Sequence, residues 1–245
     1  MTNTANPRTF APGLVVRGIT VPLRLSDFKL LACDMDSTLI SIECVDEIAA
    51  VVGRKAEVAA ITEAAMQGLI SDYKESLRQR VALLEGVSVE QLETVYAERL
   101  RINPGAERLM DAVHAAGITT LLVSGGFTFF SDRVKSKLGI RFARSNVLQV
   151  QHGRLTGRMV DQPWGDICDG AEKRRAMLEL ASFMGIAPSQ AMAMGDGAND
   201  LLMMGAAGLS VAYHAKPAVR AKAHVAIDEG GLDRLLEIFQ PAHLQ

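Results

Sequence analysis

Short apolar runs that stop abruptly on a polar residue or a glycine recur along the chain. Leu30, Leu31, Ala32 and Cys33 end on Asp34; residues 118–123 end on Ser124; residues 191–194 end on Gly195. Residues 209–213 and 225–227 repeat the pattern. Runs this short that are mostly apolar, without strict alternation, predict strands buried on both faces, as in a parallel sheet. Helical patterns lie between them, over 106–116, 127–138 and 171–184, and stop at Gly117, Gly139 and Gly185. Those glycines stand where the end of a helix favours a residue tolerant of positive φ. Strand, helix and glycine in alternation predict an α/β fold built on a parallel sheet.

Two segments break the alternation. Residues 43–102 carry helical patterning with no strand candidate. Tyr73, Leu77, Val81 and Leu84 share one helical face, and Ser88 with Gln91 has the spacing of a capping box. This predicts a helical cap inserted after the first strand and closed by Asn103-Pro104-Gly105. The second segment, 147–160, reads VLQVQ, then His152-Gly153, then RLTGRMV, and predicts a small β-hairpin. Residues 1–28 are weakly patterned, with Pro7, Pro12 and Pro22 as breakers, and read as an N-terminal extension partly packed on the body. The α/β core is then 29–42 together with 103–245.

A chain of 245 residues suits one large domain or one domain carrying an insertion. Lys plus Arg is 26 against 28 for Asp plus Glu, a balance that gives no electrostatic ground for binding nucleic acid. The three cysteines form no CxxC or Cys/His spacing, which argues against a disulfide framework or a zinc knuckle and for an intracellular protein. No apolar run approaches the ~20 residues of a membrane span, and the N-terminus is a poor signal peptide. The expectation is a cytoplasmic protein with no nucleic-acid and no membrane partner.

The chemistry concentrates where the strands end. Asp34-Met35-Asp36-Ser37-Thr38 follows the first strand, Ser124-Gly125-Gly126 follows the second, and Gly195-Asp196-Gly197-Ala198-Asn199-Asp200 follows the third. Parallel strands bring their carboxyl ends to one edge, where open α/β sheets bind ligands. Asp34, Asp36, Asp196 and Asp200 would then meet. Two carboxylates about 4 Å apart repel by about 4 kcal/mol at an effective dielectric near 20, so such a cluster calls for a cation. Oxygen-only ligands favour a hard ion, and Mg²⁺ suits a site that keeps waters and a substrate phosphate. Lys173 supplies a further positive charge, and Ser124 with the glycine-turn amides suits phosphate oxygens. The implied reaction is phosphoryl transfer to a carboxylate, followed by hydrolysis of the aspartyl-phosphate. GDGAND carries Asp200 where a dinucleotide fingerprint wants Gly or Ala, and neither GxxxxGK[ST] nor GxSxG occurs. Met192, Met194, Met203 and Met204 read as core filler.

These residues resemble the haloacid dehalogenase superfamily of phosphatases and, within it, the phosphoserine phosphatase family. The resemblance runs from about Lys29 to Phe239 through DMDSTLISIECVDEIA, SLRQRVALL, VSGGF, HGRLTG, Lys173, GDGANDLLMM and AYHAKP. It implies a Rossmann-like core with helices on both faces of the sheet. It also implies hydrolysis of O-phospho-L-serine to L-serine and phosphate, the last step of serine biosynthesis. Asp34 would be the nucleophile and Asp36 the general acid and then base, with Lys173 neutralising charge between Asp34 and the phosphoryl group. Mg²⁺ would be held by Asp34, Asp196 and the Asp36 carbonyl, with Asp200 supporting. Ser124, Gly125 and Asn199 would bind the phosphoryl end, Glu43 the substrate ammonium and Arg78 its carboxylate. Met66 and Tyr73 match positions that close over the substrate.

Read without the resemblance, Arg78 suits a solvated face beside Glu75 and Arg80, and Glu43 suits a first-turn acid. Lys173 stands in a run of charges with Arg174 and Arg175. The stretch 66–78 runs slightly longer than the family pattern, and residues 1–28 match none of it. A phosphatase or phosphotransferase acting on another small phosphomonoester, such as phosphoserine:homoserine transfer, is the alternative. Whether the chain is a monomer or a homodimer stays open.

Overall fold

In the central strands, odd and even positions face opposite sides of the sheet, and both sides are apolar. The computed structural model describes residues 6–66, 69–70 and 72–240. In chain order these form β1 (Arg8–Ala11), β2 (Leu14–Val16) and β3 (Leu30–Cys33). A helical segment follows, with α1 (Cys44–Val51), α2 (Lys55–Met66), α3 (Tyr73–Ala82) and α4 (Val89–Thr94). Then come α5 (Ala106–Ala115), β4 (Thr119–Phe127), α6 (Thr128–Leu138), β5 (Phe142–Gln151), β6 (Arg154–Val160) and α7 (Gly170–Phe183). The chain continues through β7 (Ala191–Gly195), α8 (Leu201–Met204), β8 (Leu209–Tyr213), α9 (Pro217–Arg220) and β9 (Val225–Ile227).

Among the described residues, the sheet order is β1-β2-β9-β8-β7-β3-β4-β5-β6. The strands from β9 to β5 run parallel, while β1, β2 and β6 are antiparallel. Leu31, Cys33, Leu122, Met192 and Met194 face one core with Leu109 and Val113 of α5 and Phe130 of α6. Their neighbours Leu30, Ala32, Leu121, Ala191 and Ala193 face another with Ala176 and Met177 of α7 and Met203 and Met204 of α8. Helices therefore cover both faces, as the mostly apolar strand runs require. Gly117, Gly139 and Gly185 have φ of 70°, 65° and 67°, the left-handed value expected after a helix end.

Among the described residues, 44–99 hold helices and no strand, with a π-helical turn at Val95–Arg99. The capping box forms: Ser88 Oγ accepts from Gln91 N–H at 3.3 Å and Gln91 Oε1 accepts from Ser88 N–H at 2.9 Å. The two ends of this insertion lie side by side. Ser41 N–H donates to the Arg101 carbonyl at 2.9 Å, and Asn103 Nδ2 donates to the Thr38 and Ile40 carbonyls at 2.8 and 3.1 Å.

Residues 8–16 differ from the weakly patterned extension expected. Leu14 and Val16 are buried, and β2 pairs with β9, so this stretch extends the sheet. No helix among the described residues is long and apolar enough to cross a membrane. The three cysteines are free and buried.

Candidate active site

Strand order reverses around β3, which lies between β4 and β7, and the site opens beyond the carboxyl ends of these three strands. Asp34 continues β3, its N–H donating to the Met194 carbonyl at 2.9 Å. The next turn is tight. The Met35 carbonyl accepts from the N–H groups of Thr38, Leu39 and Ile40 at 3.2, 2.9 and 3.1 Å. Asp36 turns toward α1, where its carboxylate accepts from the Cys44 N–H at 3.1 Å and the Cys44 thiol at 3.2 Å. Ser37 has a φ of 57°, and its hydroxyl donates to Glu43 Oε1 at 2.7 Å.

Beyond β7, Asp196 accepts from the Thr38 hydroxyl at 3.4 Å, and Asp200 Oδ2 accepts from the Gly197 N–H at 3.0 Å. Gly195 is required there, because a Cβ would fall 2.3 Å from Asp200 Cγ. Lys173 comes from the first turn of α7, whose N-cap Asp169 accepts from Glu172 N–H at 2.8 Å. Its ammonium donates to Asp34 Oδ1 at 2.5 Å and Asp200 Oδ1 at 2.7 Å, with the side chain 0% exposed. In β4, Ser124 Oγ accepts from the Gly126 N–H at 2.8 Å.

Asp34, Asp36, Glu43, Ser124, Gly125, Asp196 and Asn199 all line one cavity of about 680 Å³. Lys173 and Asp200 are wholly buried beside it. Tyr73 lines the same cavity; the Met66 side chain lies outside the described residues. Arg78 does not reach it. Arg78 Nη2 donates to Asp166 at 2.5 Å and lines a separate cavity between α3 and β6, so its expected position at the substrate is corrected. The guanidinium in the active cavity is that of Arg80, whose Nε donates to the Ser76 carbonyl at 3.3 Å. The reason is helical phase: residues two apart on a helix turn about 200° from one another and point to opposite sides.

Sequence reasoning also missed Asn146 in β5. Its Nδ2 donates to the Gly125 carbonyl at 2.8 Å and its Oδ1 accepts from Cys168 N–H at 2.8 Å, tying the carboxyl end of β4 to the segment before α7. Asn146 stands beside Arg144, Ser145 and Gln149 in a strand of mixed polarity, so no pattern in the sequence marks it.

The electrostatics follow from three carboxylates around the Lys173 ammonium. Burial, and then the neighbouring Asp200, push the Asp34 carboxyl well above the usual range. Burial and then Glu43 push Asp36 up to about 7. Burial and then Asp200 push Asp196 up to about 6. Burial alone would pull Lys173 down, but Asp200 and Asp34 outweigh it and hold its ammonium charged. Asp34, Asp196 and Asp200 each bring an oxygen within 4.8 Å of the others, and Lys173, with Lys216 acting on Asp196, leaves three carboxylates against two ammonium groups. Oxygen donors alone, in charge excess, fit a hard divalent cation.

A family model described as haloacid dehalogenase-like hydrolase matches residues 31–205. The chain belongs to this family. A protein of Albidiferax ferrireducens named phosphoserine phosphatase is 68% identical over 236 residues, covering 96% of this chain and 100% of the relative. One of Polaromonas sp. with the same name is 70% identical over 232 residues, covering 95% and 98%. A solved structure described as the phospho-aspartyl intermediate analogue of phosphoserine phosphatase aligns with a TM-score of 0.79 at 36% identity, over 87% of this chain and 99% of that one. The unliganded probable phosphoserine phosphatase of Vibrio cholerae aligns at 0.79 and 43%, over 91% and 67%.

Proposed function

We propose that the protein hydrolyses O-phospho-L-serine to L-serine and phosphate through a phosphorylated Asp34. The observation that carries this is one cavity whose lining supplies partners for both parts of such a substrate. Asp34, backed by Lys173, and Ser124 suit a phosphoryl group. Glu43 and Arg80 line the same cavity and offer one negative and one positive partner for an ammonium and a carboxylate. The relatives named phosphoserine phosphatase, and the neighbour described as a phospho-aspartyl analogue, support the same reading.

In the first step a carboxylate oxygen of Asp34 attacks phosphorus, forming one P–O bond as the ester P–O bond breaks. The departing serine oxygen takes a proton from Asp36, which burial and Glu43 equip to hold one near neutral pH. Water then attacks the phosphorylated Asp34, and Asp36, now ionised, accepts its proton. Phosphate leaves and Asp34 is restored. Lys173 keeps its charge against Asp34 throughout, and the Gly126 N–H fixes the Ser124 hydroxyl beside the phosphoryl end. Arg80 suits the substrate carboxylate because a planar guanidinium can bind it through two parallel N–H groups.

Asp34, Asp196 and the Asp36 carbonyl, supported by Asp200, would hold Mg²⁺. When bound, the cation supplies positive charge against the phosphoryl oxygens. A phosphate-release panel of phosphorylated amino acids and sugars, run with Mg²⁺ and with chelator, tests the proposal. Phosphoserine should be the best substrate and the chelator should abolish release. A sugar phosphate turned over faster than phosphoserine would refute it.

A further inference from the structure

Tyr73 opens α3, the helix that also brings Ser76 and Arg80 to the cavity wall. Its ring reaches the Ser124–Gly126 end of β4 at the opposite side. A Cβ built on Gly125 would lie 2.2 Å from the Tyr73 hydroxyl oxygen but 3.4 Å from the ring carbon that bears it. The hydroxyl oxygen therefore fills the space a side chain at position 125 would take, in the cavity that Ser124 and Asp34 line. Among the described residues this hydroxyl has no hydrogen-bond partner in the protein. Nor is it a sealed orphan, since no enclosed side-chain polar atom lacks a partner, so the hydroxyl opens into the cavity. Lys173, Arg80 and Asp34 lie within electrostatic reach of it.

An unpaired phenol that opens into this cavity beside Ser124 has one chemical use that an apolar ring lacks, which is to donate a hydrogen bond to what enters. We propose that the Tyr73 hydroxyl donates to a non-bridging phosphoryl oxygen of the bound ligand. This residue of the helical insertion then acts on the same group as Ser124 and Lys173 of the sheet side. The proposal rests on the phosphomonoesterase reading above. Because substrate and released phosphate both present such an oxygen, the contact is uniform binding: it lowers KM and the orthophosphate Ki together and leaves kcat nearly unchanged. Burial pushes the phenol up to about 12, so it remains a neutral donor across the working range.

The test is Tyr73→Phe in the full chain with Mg²⁺. A lost hydrogen bond to a charged group should raise three constants in parallel by roughly tenfold: KM for phosphoserine, KM for phosphoethanolamine and the orthophosphate Ki. The kcat and the melting temperature should hold. An orthophosphate Ki within twofold of the parent overturns the proposal, since the ring alone then does the work. Gly125→Ala supplies a second reading. Its methyl should weaken orthophosphate binding by displacing the hydroxyl, and in the Tyr73→Phe background it should add little further loss. Losses that multiply would place the hydroxyl elsewhere and also overturn the proposal. Orthophosphate binding by calorimetry needs no substrate, so it decides the role of Tyr73 even if phosphoserine itself proves not to be turned over.

Discussion

Replacing Lys173 with methionine keeps an unbranched side chain one atom shorter and removes the one ammonium that Asp34 and Asp200 share. Its Nζ lies 2.5 and 2.7 Å from their oxygens with no solvent exposure. Unit charges at that separation attract by about 6 kcal/mol at an effective dielectric of 20, but dehydrating the ammonium offsets much of this. Removing one partner of a buried pair leaves a net loss of about 3–5 kcal/mol. For a chain of this size each kcal/mol moves the melting temperature by about 2–4 °C, so Lys173→Met should melt about 6–20 °C lower in chelator at pH 8. The sign against pH is fixed by the partners. Lys173 is held above its usual value, so its stabilisation is complete throughout the range below 10.5 and fades only as pH rises through the folded value. In the variant, Asp34, already held above the usual carboxyl range, can take up a proton instead, so the deficit should shrink as pH falls toward 5. Adding Asp200→Asn to Lys173→Met should recover part of the loss, because one stranded carboxylate is gone. A variant melting within 2 °C of the parent at pH 8, or strict additivity in the double mutant, would refute this account.

Two further outcomes follow from the site geometry. Arg80→Lys should lower kcat/KM for phosphoserine by about 10–100-fold, because the ammonium keeps the charge but loses the two parallel N–H contacts to the carboxylate. It should have far less effect on phosphoethanolamine, while Arg78→Ala should stay within about twofold on both in the same steady-state assay. The second outcome concerns pH. Asp36 at about 7 and Asp196 at about 6 lie above the ordinary 3.8, so the cation-free native state holds protons that the unfolded chain releases. The stability of the cation-free site therefore falls as pH rises from about 4 through 7. The gain in melting temperature on adding Mg²⁺ should grow from pH 5 to pH 8; a gain that is constant or shrinks over that range would contradict the assigned charge balance.

What could be read from the chain alone follows from how strongly each position is constrained. The runs ending at Asp34, Ser124 and Gly195 were legible because both faces of these strands are buried, which leaves little room for polar residues, Thr120 among the few, until the rim is reached. The helix ends at Gly117, Gly139 and Gly185 were legible because only a residue tolerant of positive φ fits there. β1 and β2 were not, since a few residues such as Leu14 and Val16 give too little pattern to mark a strand. The choice between Arg78 and Arg80 depends on helical phase relative to a cavity that the chain forms only once folded. Asn146 was invisible for a related reason: both its partners lie more than twenty residues away, at Gly125 and Cys168.

The central claim is that an oxygen of Asp34 becomes bonded to phosphorus. Acid quenching during turnover of radiolabelled phosphoserine, followed by peptide mapping, addresses it directly. The label should be recovered on the peptide containing Asp34 and be absent in Asp34→Asn. Label on another residue, or turnover with no labelled protein at any quench time while Asp34→Asn stays active, would contradict the account.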